Sequence, residues 1–229
     1  GPLIKRLFPP TIHIDQRTYI SNMVQRYGTE LPSSFVSTPM DPNGTFTNDC
    51  NGSPPACDED YRSIVGSLLF AANCTRPDIT FAVARLSRYL NAPTVAHMRA
   101  ARHCLAYLRD HPNYGPTYGP GHSPLTGYSD ADFAGDLDTS RSTTGWLFVH
   151  NGGPVSWRSK LQSSVSDSTT EAEYRAMAKC GRHGEWLRAL LADFGRACTH
   201  PTLLHEDNEA CAKWCQNPVD YQRQKHIRR

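Results

Sequence analysis

The sequence predicts an α/β fold in which a mainly helical N-terminal half precedes a C-terminal half with the order βββαβα. Three observations support this prediction. Short strand-like runs follow one another after Leu125, a long amphipathic pattern extends from about Thr169 to Phe194, and apolar residues recur at helical spacing between 60 and 111. We therefore expect a mixed sheet with flanking helices in the C-terminal half.

Residues 1–60 predict little regular structure apart from one helix. Asp15 is placed to cap this helix, and Gly28 is a natural stop for it. Its predicted apolar face consists of Tyr19, Ile20, Met23, Val24 and Tyr27. The segment from 32 to 57 is rich in proline, asparagine and glycine, which predicts a long loop or linker.

Between residues 60 and 111, the apolar pattern predicts two amphipathic helices that pack antiparallel. They are separated by a break at 91–93, and the apolar positions that define them are Ile79, Val83, Leu86, Leu90, Met98, Ala101, Leu105 and Leu108. The segment 114–124 is rich in glycine and proline, so we expect a domain boundary there.

The C-terminal half changes to a strand-like period. Asn151-Gly152 is typical of a turn between hairpin strands. We expect strands at 125–130, 142–150, 154–159 (with 163–166 as a candidate extension) and 202–206, and a last helix at about 208–216.

Composition is typical of a globular protein. Apolar residues make up 38%, charged residues 20%, and the net charge of +2 is too small to indicate a nucleic-acid partner by itself. No run approaches the roughly 20 apolar residues of a membrane span, so no membrane association is expected.

The eight cysteines lack paired C-x-x-C spacing, which favours reduced thiols over a zinc site. The basic residues within 217–229 are either a phosphate-binding patch or a solvated tail.

Three acidic residues lie at three predicted junctions: Asp130 ends a strand, Glu171 lies in the first turn of the long helix, and Asp207 follows a strand. Such junctions can converge on one edge of an α/β sheet. Converging carboxylates repel one another unless a hard cation lies between them. The three residues therefore predict a magnesium site suited to phosphodiester chemistry.

Each of these acids also has a structural explanation. Glu171 completes a capping box with Ser168, Asp207 is placed to cap the last helix, and Asp130 is placed to end its strand in an Asx turn. Taken singly, each explanation is sufficient, so the pattern alone leaves both interpretations open.

Several long segments resemble the copia-type retrotransposon polyproteins, over roughly residues 11–227. GYSDADFAGDLDTSRSTTGWLF, GGPVSWRSKLQSSVSDSTTEAEYRAM and HEDNEACAKWCQNP resemble their ribonuclease H domain. YRSIVGSLLFAANCTRPDITFAVARLSRYL and VSTPMDPNG resemble the segment that follows the polymerase palm. The resemblance implies a thumb-like remnant and linker at 1–60, a helical connection region at 61–120, and an RNase H-like domain at 121–229 that is incomplete at its C-terminus.

The resemblance also implies a two-metal site with Asp130, Glu171 and Asp207 as catalytic residues and metal ligands. Glu173 is expected to point elsewhere, because it lies about 200° around the helix from Glu171. Asp132 shares a face with Asp130 only if the strand continues past Asp130.

The implied activity is hydrolysis of the RNA strand of RNA–DNA hybrids by two Mg²⁺ ions, with Mn²⁺ as a substitute. The candidate nucleic-acid-binding residues are Arg141, Lys160, Arg175, Asn208 and Lys213. The implied location is intracellular, either cytoplasmic in a virus-like particle or nuclear.

Two departures from the family pattern qualify this expectation. The Tyr-x-Asp-Asp turn of the polymerase is absent, so no polymerase activity is expected from this chain. Where the family has Lys-His-Ile-Asp, this chain has Lys225-His226-Ile227 followed by Arg228, which leaves His226 as the candidate fourth ligand or proton shuttle. The alternative function is a catalytically impaired, domesticated or truncated module that binds nucleic acid or a protein partner. An open sheet edge at 202–206 would suit a partner chain or self-association.

Overall fold

The structure, a computed structural model, describes residues 1–7, 10–42, 44–48, 52–121 and 123–216. Within these residues the chain has a mixed α/β architecture with two sheets and six α-helices. It divides into two compact units. The first comprises Gly1–Ser123 with His150–Pro154, and the second comprises Pro124–Val149 with the described residues from Val155 onward.

The first unit is mainly helical. Its elements are β1 (Leu3–Leu7), β2 (Thr11–Asp15), α1 (Arg17–Tyr27), α2 (Asp58–Cys74), α3 (Thr80–Leu86), α4 (Val95–Asp110) and β3 (Thr117–Tyr118). Short 3₁₀ helices at Gly28–Glu30, Pro77–Ile79 and Ser87–Tyr89 extend or connect these helices. One apolar core joins α1 to the helices beyond residue 60, so the segments 1–60 and 61–120 share a core in this structure.

The helices α1, α3 and α4 confirm the helical periodicity of the sequence. The hairpin of β1 and β2 corrects the expectation that residues 1–60 are irregular outside one helix. The signal lay in Thr11–Asp15, where Ile12 and Ile14 alternate with polar residues. The prolines at 9 and 10 separate the two short runs. Because a proline pair is typical of a turn or loop, the sequence did not predict that these runs pair as strands.

The second unit contains the four-stranded sheet, and its order confirms the predicted βββαβα pattern. Its elements are β4 (Thr126–Asp132), β5 (Thr143–His150), β6 (Gly153–Leu161), α5 (Thr169–Asp193), β7 (Leu203–His205) and α6 (Glu209–Gln216). The strand order is β6-β5-β4-β7, with β4 antiparallel to β5 and parallel to β7. Residues 163–166 are not a strand, which corrects the candidate extension of β6.

Helix α5 packs on β4 through a core that needs glycine at two positions. Phe148 of β5 is fully buried with Leu125, Cys180 and Leu187. A Cβ atom on Gly127 would lie 2.7 Å from the Phe148 ring and 2.5 Å from the Leu204 side chain. A Cβ atom on Gly184 would lie 3.1 Å from the same ring. The missing side chains therefore make the space that the Phe148 ring fills.

Gly127→Ala is expected to destabilise the second unit by about 1–3 kcal/mol, because the added methyl group overpacks the contact between β4, Phe148 and β7. Gly145→Ala, on the adjacent strand, is the matched control. Its Cβ would meet only the Asp130 carbonyl oxygen, at 3.8 Å, so it is expected to be neutral or slightly stabilising. Denaturant unfolding of both variants measures the difference, and equal stabilities would contradict the packing argument.

Candidate metal centre

The structure brings together three carboxylates, those of Asp130, Glu173 and Asp207. Each offers one oxygen, and these oxygens all lie within 4.8 Å of one another. Asp130 and Asp207 are exposed, whereas Glu173 is only 4% exposed. We call these three residues the acidic cluster.

Asp130 projects from β4, and the strand continues past it to Asp132. Its partner on β5 is Gly145, so no side chain of the facing strand projects beside it. The continuing strand removes the Asx-turn explanation for Asp130. Asp132 shares the exposed face of β4, but its carboxylate lies against Gly135 and outside the acidic cluster.

Glu173, and not Glu171, meets Asp130 and Asp207, which corrects the sequence-based choice between the two glutamates. The two glutamates do lie about 200° apart around the helix. The prediction was wrong about which of them faces Asp130 and Asp207. Both glutamates are buried, but only Glu173 continues the row of buried residues at spacings of three and four, which consists of Glu173, Ala176, Cys180, Gly184 and Leu187. The spacing of three and four residues from Glu173 to Ala176 and Cys180 is visible in the sequence and could have identified it.

Glu171 instead stabilises the start of α5, although the reciprocal bond of the predicted capping box comes from the Asp167 amide and not from that of Ser168. One carboxylate oxygen accepts a hydrogen bond from the Asp167 amide at 2.8 Å, and the other pairs with the Arg175 guanidinium at 2.5 Å. The Ser168 hydroxyl caps the helix by accepting from the Glu171 amide at 3.2 Å. Glu171 is therefore engaged at the helix terminus.

Asp207 is not the cap of α6, because Asn208 performs that role. The Asn208 side-chain oxygen accepts a hydrogen bond from the Cys211 amide at 2.9 Å. Asp207 thus reaches the acidic cluster from the loop between β7 and α6. The parallel pairing of β7 with β4 sets its position, since Tyr128 of β4 is aligned with His205.

Glu206 is a fourth carboxylate beside the acidic cluster, and the sequence reading missed it. It accepts hydrogen bonds from the Ser129 hydroxyl at 2.7 Å and from the Asn208 amide at 3.3 Å. Burial raises the pKa of Glu206, and the charges of Asp207 and Asp130 raise it further. The two hydrogen bonds partly offset this rise.

Glu173 carries the strongest electrostatic signature of the site. Burial, followed by the charges of Glu206, Asp130 and Asp207, raises its pKa to about 8. A hydrogen bond from the Ala131 backbone partly opposes the rise. Its Oε2 atom is buried and has no hydrogen-bond partner among the described residues. A buried, unpartnered carboxylate oxygen facing other carboxylates is the environment that a hard cation satisfies.

The predicted nucleic-acid-binding residues have different local contacts in the structure. Lys160 of β6 and Arg175 of α5 both lie close enough to Lys179 to affect its pKa. Lys213 is exposed and pairs with Glu209 at 3.4 Å, and Asn208 is used as a cap. The backbone oxygen of Arg141 accepts from the Asp136 amide at 3.1 Å. His226 lies outside the described residues, so the fourth-ligand hypothesis stays a prediction.

The fold and the acidic cluster define a mixed α/β protein with a candidate divalent-metal centre. Two relatives are retrovirus-related Pol polyproteins from transposons: RE1 of Arabidopsis thaliana, 39% identical over 96% of this chain, and TNT 1-94 of Nicotiana tabacum, 36% identical over 93%. The chain belongs to this copia-like family of retrotransposon polyproteins. It spans 15% of the length of RE1 and 16% of TNT 1-94.

A third relative is short. The secreted RxLR effector protein 161 of Plasmopara viticola is 44% identical over 128 residues, which cover 56% of this chain and 90% of that protein. No family model and no solved structure matches the chain. Within the described residues, no helix has the length and apolar character required to cross a membrane.

Glu173→Gln is expected to stabilise the metal-free protein at about pH 8 by on the order of 4 kcal/mol, and at about pH 5 by less than about 1 kcal/mol. The pKa of Glu173 rises on folding from an ordinary value of 4.5 to about 8, so its ionisation removes stability as the pH rises through this window. The neutral amide avoids this loss. Denaturant unfolding in EDTA at both pH values measures it.

Glu171→Gln is the matched control, two residues away on the same helix. It weakens the hydrogen bond from Asp167 and the ion pair with Arg175, so it is expected to lower stability at both pH values. If Glu173→Gln instead lowered the free energy of unfolding more than Glu171→Gln at about pH 8, the ionised Glu173 carboxylate would not be the destabilising group.

Proposed function

We propose that the second unit is an RNase H-like, metal-dependent nuclease module of a retrotransposon polyprotein, which hydrolyses the RNA strand of RNA–DNA hybrids. The observation that carries this proposal is the acidic cluster, in which Asp130, Glu173 and Asp207 bring their oxygens within 4.8 Å of one another. Family membership supports the retrotransposon role. The RNase H-like assignment is supported by the order β6-β5-β4-β7 with α5 packed on the central strand β4.

The residues present fit magnesium. All three candidate ligands are carboxylates, which Mg²⁺ prefers over nitrogen or sulfur donors. The two exposed ligands, Asp130 and Asp207, leave the site open to solvent and substrate, and the buried Glu173 anchors it. Magnesium held by these residues, or manganese in its place, would supply Lewis-acid activation of a phosphodiester and of the attacking water.

The protein's own groups define how the site is held. The hydrogen bonds that Ser129 and Asn208 donate to Glu206 fix that carboxylate beside the acidic cluster. Glu206 adds negative charge that favours a cation, and its pKa is raised first by burial and then by the charges of Asp207 and Asp130. Glu173 must lose its proton before it can bind a metal, because its pKa in the metal-free protein is raised to about 8.

A second candidate is a module that binds nucleic acid or a protein partner without cleavage. In the Plasmopara viticola effector, a segment related to 56% of this chain makes up 90% of a short protein, so related segments occur outside a polyprotein. Arg228, in the position where the family has an acidic residue, also favours this second candidate. Under this reading the acidic cluster is inherited but no longer supports turnover.

Cleavage of a labelled RNA–DNA hybrid in Mg²⁺ or Mn²⁺ tests the proposal. Asp130→Asn and Glu173→Gln are expected to lower the cleavage rate at least about a hundredfold, because each removes a charged metal ligand. Glu171→Gln is expected to lower it far less, since Glu171 is engaged with Asp167 and Arg175. EDTA should abolish cleavage by the unmodified chain.

Cleavage that persists in Asp130→Asn would show that the activity is not that of the acidic cluster. Hybrid binding without cleavage, unaffected by EDTA, would favour the binding module. If Glu171→Gln were as damaging as Glu173→Gln while both variants remained folded, the assignment of the ligand on α5 would be wrong.

A further inference from the structure

Helix α5 lies beside the edge strand β6, and two hydrogen bonds fix the alignment. The Ser156 hydroxyl is 2.7 Å from His183 Nε2, and the Gln162 side-chain amide donates to the Ala172 carbonyl at 3.0 Å. The strand β6 and the helix α5 therefore run in opposite directions. Between these two hydrogen bonds, the alternate residues Arg158 and Lys160 of β6 face the α5 side.

Helix α5 meets them with cations of its own. Arg175, Lys179 and Arg182 follow one another at spacings of four and three residues, which places them on one side of the helix. The pKa of Lys179 is lowered first by burial and then by the charges of Lys160, Arg175, Arg182 and Arg158. Lys179 and the four cations around it come from two elements. We call these five residues the basic face.

Little negative charge neutralises the basic face. Among the described residues, Arg175 is its only member in a salt bridge, with Glu171. Arg158, Lys160 and Arg182 are exposed, and Lys179 is partly exposed. Between residues 174 and 192, α5 carries one acid, Glu185, against Arg175, Lys179, Arg182 and Arg188. Unneutralised cations held together at a surface attract a polyanion.

Aromatic rings continue the basic face. The Arg158 guanidinium lies 5.6 Å from the centroid of the Trp146 ring, and that ring lies 5.4 Å from His183. His183 in turn stacks on Trp186 at 5.1 Å. Trp186 is 55% exposed, although its size and apolar ring would favour burial. An exposed, supported ring beside cations is the arrangement on which unpaired nucleobases stack.

We propose that the basic face, together with Trp186, is a binding site for single-stranded nucleic acid. The cations suit any polyanion, but the adjacent ring favours a nucleic acid over an acidic protein segment because it offers a stacking platform. It favours a single strand over a duplex, whose bases are already stacked on each other. The site needs no metal. β6 and β7 are opposite edges of the sheet, so it is distinct from the acidic cluster and goes beyond the proposed hydrolysis.

The test is equilibrium binding of a labelled single-stranded oligonucleotide of about 20 residues to the full chain, in EDTA and at several salt concentrations. The triple variant R158Q/K179Q/R182Q is expected to bind more weakly and to reduce the slope of log affinity against log salt by about 2, since each lost phosphate contact contributes about 0.7. Trp186→Ala is expected to weaken binding about tenfold.

Matched controls separate the site from general effects. R26Q/R99Q/R196Q removes three exposed arginines elsewhere and changes the net charge equally. Phe194→Ala removes a ring that is 73% exposed and that follows the last residue of α5. Both controls should retain affinity, and thermal melting checks that every variant is folded.

Three outcomes would overturn the proposal: no binding at low salt, equal losses in the basic-face and control variants, or equal affinity for polyglutamate with no effect of Trp186→Ala. The last would identify an acidic-protein surface. Because EDTA suppresses metal-dependent hydrolysis, the binding result is independent of the cleavage assay. Failure of one proposal leaves the other to be judged separately.

Discussion

The close approach of α5 to β4 is the interaction on which the rest of the second unit depends. Near the start of the helix the buried apolar contact between the two elements consists of small side chains, those of Ala131 of β4 with Ala172 and Ala176 of α5. Further along, Phe148 fills the space that Gly127 and Gly184 leave open. Larger residues at the alanine positions would lift the helix from the sheet. Glu173, which follows Ala172, would then be carried away from Asp130. The spacing of the carboxylates is thus a product of apolar packing.

That packing holds together groups that electrostatics would separate. Glu173 and Glu206 both have raised pKa values, and burial is the largest cause in each case. Neighbouring carboxylates add to both shifts. A core selected for stability alone would not bury an unpartnered carboxylate oxygen between two alanine-lined elements. Folding energy from the Phe148 contacts offsets this local cost, which is the usual relation between a scaffold and a functional site.

The sequence predicted α1, α4 and α5 and the chain order of the C-terminal elements, because the periodicity of apolar residues or a turn signal identifies each of them. It predicted two helices between residues 60 and 111, where the structure also has α2 as a separate helix. It did not predict the β1–β2 hairpin, whose strands contain five residues each and are separated in the sequence by prolines at 9 and 10. At the candidate site it placed Asp130 and Asp207 but chose Glu171 over Glu173. Both glutamates fit the start of the helix, and only the row of buried residues at spacings of three and four separates them. Glu206 was missed because its role depends on Ser129, which is distant in sequence and adjacent only across the sheet.

Helix α5 separates charges that the overall composition conceals. The net charge of the chain is only +2. Even so, one side of α5 carries Glu173, which belongs to the acidic cluster, and another side carries Arg175, Lys179 and Arg182. A nucleic acid approaching this unit would be attracted by the basic side and repelled by the carboxylates. A bound divalent cation would reverse the sign of the second interaction and leave the first unchanged. The electrostatic effect of a bound metal would therefore be confined to the carboxylate side of the helix.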